Sequence, residues 1–238
     1  MSRSPIAPAP VPVIAIDGPS ASGKGTVAAL IARELGFHYL DSGALYRLVT
    51  LGALDAGVDL EDEAALARTA AGMDVHFAPG RVLLAGRDVT EALRTEPVSA
   101  ATSRVAARPA VRQALLERQR AFRRAPGLVA DGRDMGSIVF PEASLKVFLT
   151  ADVRTRAERR YKQLMEKGMY AKMSDVVEEL SRRDARDASR PVAPLRHYPD
   201  ALFLDTSALD VDQAVRRVLD WWRERSSRTG RDAPQEPQ

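Results

Sequence analysis

A glycine-rich segment near the start of the chain has the residue types and spacing of a phosphate-binding loop. The nine residues Gly-Pro-Ser-Ala-Ser-Gly-Lys-Gly-Thr at 18–26 follow the apolar run 13–16 and precede a helical pattern. Small residues let successive backbone N–H groups turn inward, and the positive end of the following helix dipole points to the same place. Lys24 adds a mobile charge for the outer phosphates. The segment therefore predicts a site for a nucleoside triphosphate.

The loop departs from the strict P-loop pattern at one position. That pattern places Ser or Thr directly after the lysine, where the hydroxyl meets magnesium, whereas here Gly25 intervenes and Thr26 follows. The Gly-Lys-Gly-Thr ending favours small kinases that phosphorylate nucleotides over GTPase switches. The chain contains no asparagine, so the Asn-Lys-x-Asp motif with which GTPases read guanine is absent.

A second polar loop, 41–43, follows the short predicted strand 37–40. Ligands of parallel sheets bind at the C-terminal ends of strands, which is where this loop lies. The simpler interpretation is a helix cap, in which Asp41 or Ser42 satisfies free backbone N–H groups. A cap does not explain Arg47, one turn into the helix, whose guanidinium can point back into a cleft.

A third loop, 131–136, leaves the apolar strand 128–130 with an acidic residue in first position. An acid that ends a strand beside a P-loop strand is placed to organise Mg²⁺ and its waters, which predicts that role for Asp131. Arg133 offers a planar fork for phosphate, and Asp134 offers an acceptor for an exocyclic amine.

The composition is that of an ordinary globular protein and excludes several classes. The 238 residues are 45% hydrophobic and 28% charged, with a net charge of +3. Without cysteine there is no disulfide or Cys-based metal site, and His38, His76 and His197 have no metal-ligand spacing. The start does not follow a signal-peptide pattern and no run is long enough to span a membrane, so we expect a cytoplasmic protein with no membrane partner. Basic residues alternate with acidic ones, which disfavours nucleic acid as a partner.

Apolar runs and helical patterns alternate along most of the chain and predict an α/β fold, with a parallel sheet covered by helices on both faces. The predicted strands are 13–17, 37–40, 128–131, 145–149 and 201–204. Residues 58–95 break the alternation: the segments 74–78 and 81–85 flank Pro79-Gly80, which is typical of an antiparallel hairpin. We interpret 58–95 as an inserted lobe that covers a second substrate, and we expect disorder in 1–10 and 226–238.

Four motifs together resemble those of the bacterial cytidylate kinases. They are Gly-Pro-Ser-Ala-Ser-Gly-Lys-Gly-Thr, Leu-Asp-Ser-Gly-Ala-Leu-Tyr-Arg, Ala-Asp-Gly-Arg-Asp-Met-Gly and Val-Ala-Pro-Leu, in this order. The likeness covers about Val13 to Arg225. It implies a P-loop nucleoside monophosphate kinase domain at 11–225, a CMP-binding lobe at 58–95 and a lid at about 153–190.

The resemblance also implies roles for individual residues. Those expected to face the cytosine ring are Ser42, Arg112 and Asp134. Those expected to hold the CMP phosphate are Arg47, Arg133 and Arg190, and those near the sugar are Ser103, Arg183 and Asp187. The lid would bring Arg159 and Arg160 over ATP, beside the loop residues Gly18, Pro19, Ser20, Ala21, Ser22, Gly23, Lys24, Gly25 and Thr26. The residues expected to act on the transferred phosphoryl group are Lys24, Asp131, Arg133 and Arg190.

The function expected from the motifs and the resemblance is phosphoryl transfer from ATP, with Mg²⁺, to CMP or dCMP, by a monomer. Another P-loop kinase, for UMP or a non-nucleotide acceptor, remains an alternative. An arginine-rich ATPase stimulated by nucleic acid is a second alternative, from a different class.

Overall fold

A parallel sheet of five strands forms the centre of the computed structural model, which describes residues 10–78 and 80–229. The five strands are β1 (Val13–Asp17), β2 (His38–Asp41), β6 (Leu128–Gly132), β7 (Leu145–Thr150) and β8 (Leu202–Asp205). Their order across the sheet is β2-β6-β1-β7-β8. The predicted α/β class is therefore confirmed.

Within residues 10–78 and 80–229, eight α-helices pack around the sheet or connect its strands. They are α1 (Lys24–Leu35), α2 (Ser42–Asp55), α3 (Glu63–Gly72), α4 (Glu96–Val105), α5 (Pro109–Arg120), α6 (Val153–Glu166), α7 (Met173–Ser189) and α8 (Val211–Thr229). A single 3₁₀ turn, Ala92–Arg94, precedes α4, and a π-helical turn, Met135–Val139, follows β6. No helix in the part of the chain that the structure describes is long and apolar enough to cross a bilayer.

The helices cover both faces of the sheet because each central strand is apolar on both sides. In β1, Ile14 and Ile16 pack with α1 and α8, while Val13 and Ala15 pack with α2 and α5. All five β1 residues are buried, as expected for a central parallel strand. β1 therefore ends deep inside the molecule, and the loop that follows it lies between neighbouring strand ends.

The predicted hairpin is confirmed, and a third strand extends it. Val75–Ala78 (β3) pairs antiparallel with Arg81–Leu84 (β4), which pairs in turn with Arg87–Asp88 (β5). Pro79 lies outside the described residues. The assignment of 58–95 as a substrate lobe stays a prediction.

Helix α8 extends further than predicted. It ends at Thr229 and not at 225, so 226–229 are helical where we expected a disordered tail. The polar composition that suggested disorder is also compatible with the exposed end of an amphipathic helix. The expected disorder of 1–9 and 230–238 concerns residues outside those described.

Helices α6 and α7 form a pair beside the C-terminal edge of the sheet. Their apolar contact includes Ala157 and Leu164 from α6 and Val176 and Leu180 from α7. This small cluster is separate from the two larger clusters on the faces of the sheet. Ala21 of the P-loop packs against this cluster, and the polar side chains described below add further contacts between the helix pair and the P-loop.

Candidate active site

The loop 18–23 joins β1 to α1 with backbone geometry that requires small residues. Gly23 adopts a left-handed conformation (φ 91°) at the N-cap of α1, and no side chain caps that helix. Its first N–H groups are therefore available to an anion. At Gly18, a Cβ atom would collide with the carbonyl oxygen of Leu149 in β7. The predicted P-loop thus has the backbone form that phosphate binding needs.

Lys24 points into the protein and not into bulk solvent. Its Nζ donates to the Pro19 carbonyl at 3.2 Å, and the residue is 9% exposed. Burial and, next, the nearby charge of Arg133 lower the pKa of Lys24 to about 7. An anionic ligand would reverse both effects, because a negative charge favours the protonated amine.

The cleft beside Lys24 has a volume of about 210 Å³ and brings the predicted acceptor residues together. All nine of them line it, together with Lys24 and Asp131; they are Ser42, Arg47, Ser103, Arg112, Arg133, Asp134, Arg183, Asp187 and Arg190. They come from α2, α4, α5, α7 and the loop after β6. Residues spread over 149 positions of the sequence thus meet in one cleft, next to the C-terminal end of β6.

Asp131 is a buried carboxylate beside the first turn of α1. It is 4% exposed, and its Oδ2 accepts a hydrogen bond from the Tyr39 hydroxyl at 2.6 Å. Burial raises the pKa of Asp131 to about 6; the charge of Asp41 raises it too, and that of Lys24 lowers it. A Cβ atom at Gly25 would lie 3.3 Å from Asp131 Oδ2, so the glycine keeps this contact open.

Asp134 and Arg112 form a buried ion pair on the far side of the cleft. The Arg112 guanidinium also donates to the Ala106 carbonyl at 3.0 Å and lies 5.5 Å from the ring centre of Tyr46. The Ser42 hydroxyl donates to the Asp131 carbonyl at 2.7 Å. A carboxylate, a guanidinium and a hydroxyl therefore line the same cavity, a donor and acceptor set that can read the edge of a base.

Three arginines concentrate positive charge at the middle of the cleft. Arg133 donates to Asp187 Oδ2 at 2.8 Å and to the Ser20 hydroxyl at 2.7 Å. Among the described residues, Arg183 Nε and Arg190 Nε and Nη2 are buried without a hydrogen-bond partner. Burial, and next the charge of Arg133, lowers the pKa of Arg183 to about 10. Buried guanidinium groups with free donors are costly unless an anion joins them.

Asp41 and Arg47 show that the cap and the cleft interpretation of loop 41–43 both hold. Asp41 Oδ1 accepts the Ala44 N–H at 3.0 Å, which caps α2. Its Oδ2 accepts from Arg47 Nη2 at 2.5 Å, and Arg47 lines the cleft.

The two lid arginines lie in different places. Arg159 donates to the Ser22 carbonyl at 3.0 Å and lines a cavity of about 460 Å³ with Gly23 and Thr26. Arg160 pairs instead with Glu96 of α4 at 2.8 Å and does not approach the P-loop. The proximity of Arg159 to the loop agrees with the expected position; the role of Arg160 over ATP stays a prediction.

Two further residues at the site escaped the sequence analysis. Arg156 is buried and donates to the Ser20 carbonyl at 3.2 Å and to Asp184 at 2.6 Å, so it ties the P-loop to α7. Nothing in the sequence separates it from its arginine neighbours in α6. Asp17 accepts two backbone N–H groups from the turn after Asp134. Asp17 follows an apolar strand segment, as Asp131 does, so the same sequence pattern that singled out Asp131 could have singled out Asp17.

Comparison with known proteins agrees with the geometry. The family model for cytidylate kinase matches residues 14–224. A cytidylate kinase of Chromobacterium violaceum is 58% identical over 217 residues, which cover 91% of this chain and 98% of the relative. Those of Bordetella bronchiseptica (58% over 212 residues, 89% and 95% covered) and Cupriavidus necator (57% over 212 residues, 89% and 96% covered) are similar in the same way. The chain belongs to the cytidylate kinase family.

Proposed function

We propose that this chain transfers the γ-phosphoryl group of ATP to CMP or dCMP, giving ADP and CDP or dCDP, through the cleft between the P-loop and α7. The observation that carries the assignment of the cleft is the set of buried guanidinium donors that lack partners and lie in the same cavity as Lys24. Such donors are complementary to a second anion, placed next to the phosphates at the P-loop. Two anionic substrates that meet end to end are what phosphoryl transfer requires.

The donor side binds the triphosphate of ATP. The N–H groups of the loop 18–23 and of the first turn of α1 surround the phosphates. Lys24 gains its proton as the phosphates arrive, because their charge offsets the burial that lowers its pKa. Arg159 borders the same loop and is placed to cover the nucleotide.

The acceptor side holds the monophosphate with Arg47, Arg133 and Arg190. These side chains line the cleft from α2, the loop after β6 and the C-terminal end of α7. They fix the attacking oxygen in line with the γ-phosphorus and stabilise the charge that develops during transfer. Ser103, Arg183 and Asp187 lie where the sugar would follow.

Base selection rests on Asp134, Arg112 and Ser42. The exocyclic amine of cytosine donates to a carboxylate, whereas the corresponding oxygen of uracil would face Asp134 with a lone pair. A mispaired buried polar group costs on the order of 1–3 kcal/mol. The donor and acceptor set of this cleft therefore favours cytosine over uracil by about tenfold or more.

The donor set near the P-loop fits Mg²⁺ carried by the nucleotide. Among the residues described here, no cluster of three or more His, Cys, Asp or Glu side chains forms a cage. Mg²⁺ commonly binds through one or two carboxylates with phosphates and waters, and Asp131 is the buried carboxylate beside the loop. Asp131 would hold the ion through its waters. When bound, the ion would offset the negative charge of the phosphates during transfer.

Steady-state turnover across a panel of acceptors tests the proposal. ADP release would be measured with ATP and Mg²⁺ against CMP, dCMP, UMP, AMP and gluconate, and with single-stranded DNA or RNA alone. We expect CMP or dCMP to give the highest kcat/KM, UMP to be at least about tenfold lower, and nucleic acid to have no effect. Preference for UMP or gluconate, or stimulation by nucleic acid, would replace this function with one of the alternatives. Monomeric state and cytoplasmic location belong to the same proposal and are checked by light scattering and by cell fractionation.

A further inference from the structure

Asp17 holds the turn that carries the base-reading residue, although it does not line the cleft. It is the last residue of β1, and it lies opposite Gly132 in β6, just before Arg133 and Asp134. Its carboxylate is 5% exposed. Oδ1 accepts the Met135 N–H and Oδ2 accepts the Gly136 N–H, both at 2.8 Å. One buried carboxylate thus satisfies two consecutive backbone donors of another segment.

These two donors belong to the start of the π-helical turn Met135–Val139, and such groups have no partner within their own turn. The residue in the N-cap position, here Asp134, is the usual source of a capping side chain, and aspartate is among the best capping residues. Asp134 does not cap this turn with its side chain. Its carboxylate pairs with Arg112 in the cleft instead.

We propose that Asp17 is a positioning residue for recognition of the acceptor base: it caps the turn 135–139 in place of Asp134 and so leaves the Asp134 carboxylate for the ligand. This inference rests on the proposed function, in which Asp134 contacts the exocyclic amine of cytosine. The backbone carbonyl of Asp134 completes the arrangement, since it accepts from Ile138 N–H at 2.9 Å. The main chain of Asp134 therefore serves the turn, and its side chain serves the cleft.

The charge around Asp17 agrees with this arrangement. Burial raises the pKa of Asp17 to about 7, and the Asp134 carboxylate raises it as well. The hydrogen bonds from Gly136 and Met135 and the charge of Arg133 lower the pKa and favour the anion. The two aspartates lie close together but have different partners: Asp17 accepts the N–H groups of the turn, and Asp134 pairs with Arg112 in the cleft. These different partners agree with the two roles proposed for them.

Asp17→Asn tests the capping role of Asp17. An amide has only one acceptor oxygen, so its NH₂ group would face one of the two backbone N–H groups, of Met135 or Gly136, and leave that N–H without an acceptor. We expect the freed N–H group to compete for the Asp134 carboxylate. The ratio of kcat/KM for CMP over UMP should fall about tenfold, mainly through a higher KM for CMP, while the KM for ATP stays within about twofold. Asp205→Asn is the matched control, since the Oδ1 atom of the exposed Asp205 also accepts a backbone N–H, from Ser207 at 2.8 Å, and Asp205 lies outside the proposed lobe, the lid and the cleft lining. It should leave the CMP to UMP ratio unchanged, and thermal stability should change little because the amide oxygen of asparagine can still accept that N–H.

The double variant Asp17→Asn with Asp134→Ala separates positioning from general damage. If Asp17 acts through Asp134, removal of both should lower the CMP to UMP ratio no further than Asp134→Ala alone. The proposal would be overturned if the fall in the CMP to UMP ratio of the double variant equalled the product of the two single falls. It would also be overturned if Asp17→Asn raised the KM for ATP as much as the KM for CMP. If the unaltered chain does not prefer CMP over UMP, the proposed function itself is wrong, which is a different result.

Amide hydrogen exchange of the unaltered protein keeps the test independent of how well the variants fold. The Met135 and Gly136 N–H groups should exchange slowly, at rates similar to those of β1. Exchange as fast as that of the exposed loop 56–62 would show that Asp17 does not hold the turn, and it would overturn the proposal.

Discussion

The two sides of the cleft differ in the origin of their positive charge and of their hydrogen-bond donors. On the P-loop side, one contiguous segment of nine residues supplies backbone N–H groups and a single charged side chain, Lys24. On the arginine side, the positive charge comes from α2, α5, the loop after β6, and α7 with the residue that follows it. The first side is determined by local sequence, whereas the second depends on how the whole chain packs.

The charges on the two sides are also handled differently without ligand. Lys24 is buried with one backbone acceptor and has a strongly lowered pKa. Arg112 and Arg133 are instead paired with Asp134 and Asp187. In the proposed function, the phosphates would therefore favour the protonated form of Lys24 on the P-loop side. On the arginine side, the acceptor would bind the free donors of Arg183 and Arg190 and would also compete with the ion pairs of Arg112 and Arg133.

The largest effect is expected when Lys24 is replaced. Lys24→Met keeps the bulk of the side chain and the backbone of the loop. It removes the positive charge of the lysine, which is proposed to stabilise the transferred phosphoryl group. kcat should fall by on the order of 10²–10³. Lys146→Met, outside the cleft and in an ion pair with Asp200, is the matched control and should leave kcat unchanged. Near-normal turnover of Lys24→Met would contradict the role of this lysine.

The same variant should make the free protein more stable near neutral pH. The folded pKa of Lys24 is lowered from 10.5 to about 7, so between these values the unfolded chain binds the extra proton. The contribution of Lys24 to stability therefore rises as pH rises from 7 to 10.5, and its cost is greatest at pH 7 and below. In thermal melts, the Tm of the variant should exceed that of the unaltered chain by a few degrees at pH 7, and the difference in Tm should be smaller at pH 10. A gap that does not depend on pH would show that the lysine is not buried in this way.

On the arginine side, Asp134 is expected to control which base is used. Asp134→Ala should lower the CMP to UMP ratio of kcat/KM by about 10–100-fold and leave the KM for ATP within about twofold. Asp134→Asn should lower the ratio further, because its NH₂ group can donate to the uracil oxygen. Equal losses for CMP and UMP in both variants would place Asp134 in a structural role and not in base recognition.

The P-loop side was largely predictable from the sequence, and the reason is its locality. The strand Val13–Asp17 has the predicted bounds, since an unbroken apolar run determines them, and the helical pattern expected after the loop is the helix Lys24–Leu35. Gly36, in a left-handed conformation at the C-cap, ends that helix as glycine commonly does. Here the structure adds side-chain directions but no new element.

The arginine side was predicted only as a set of residues that resemble a family pattern. Helix Glu96–Val105, which carries Ser103, was missed because only two of its four buried residues, Val98 and Val105, are apolar, so its sequence shows little apolar periodicity. The turn Met135–Val139 was missed because it depends on Asp17, 118 positions away. Partners such as Arg133 and Asp187 follow from the docking of α7, which no local pattern encodes. Contacts between distant segments were thus the part that the sequence alone did not reveal.

The smallest effect is expected at the hydrogen bond that joins the two sides. Arg133 bridges Ser20 of the P-loop and Asp187 of α7, and the acceptor phosphate is proposed to draw Arg133 toward itself. Binding of CMP should then alter the affinity for ATP, and by linkage ATP should alter the affinity for CMP by the same factor. We expect a factor of about three to ten, which corresponds to about 1 kcal/mol, the net contribution of one typical intramolecular hydrogen bond.

Ser20→Ala removes the acceptor hydroxyl and should abolish this coupling. Calorimetry with a non-hydrolysable ATP analogue, with and without CMP, would give equal affinities for the variant and different ones for the unaltered chain. Ser22→Ala is the matched control, because its hydroxyl lies in the same loop, is buried and has no hydrogen-bond partner among the described residues. If Ser20→Ala keeps the full coupling, the two sides communicate by another route, for which Arg156, bonded to the Ser20 carbonyl and to Asp184, is the next residue to replace.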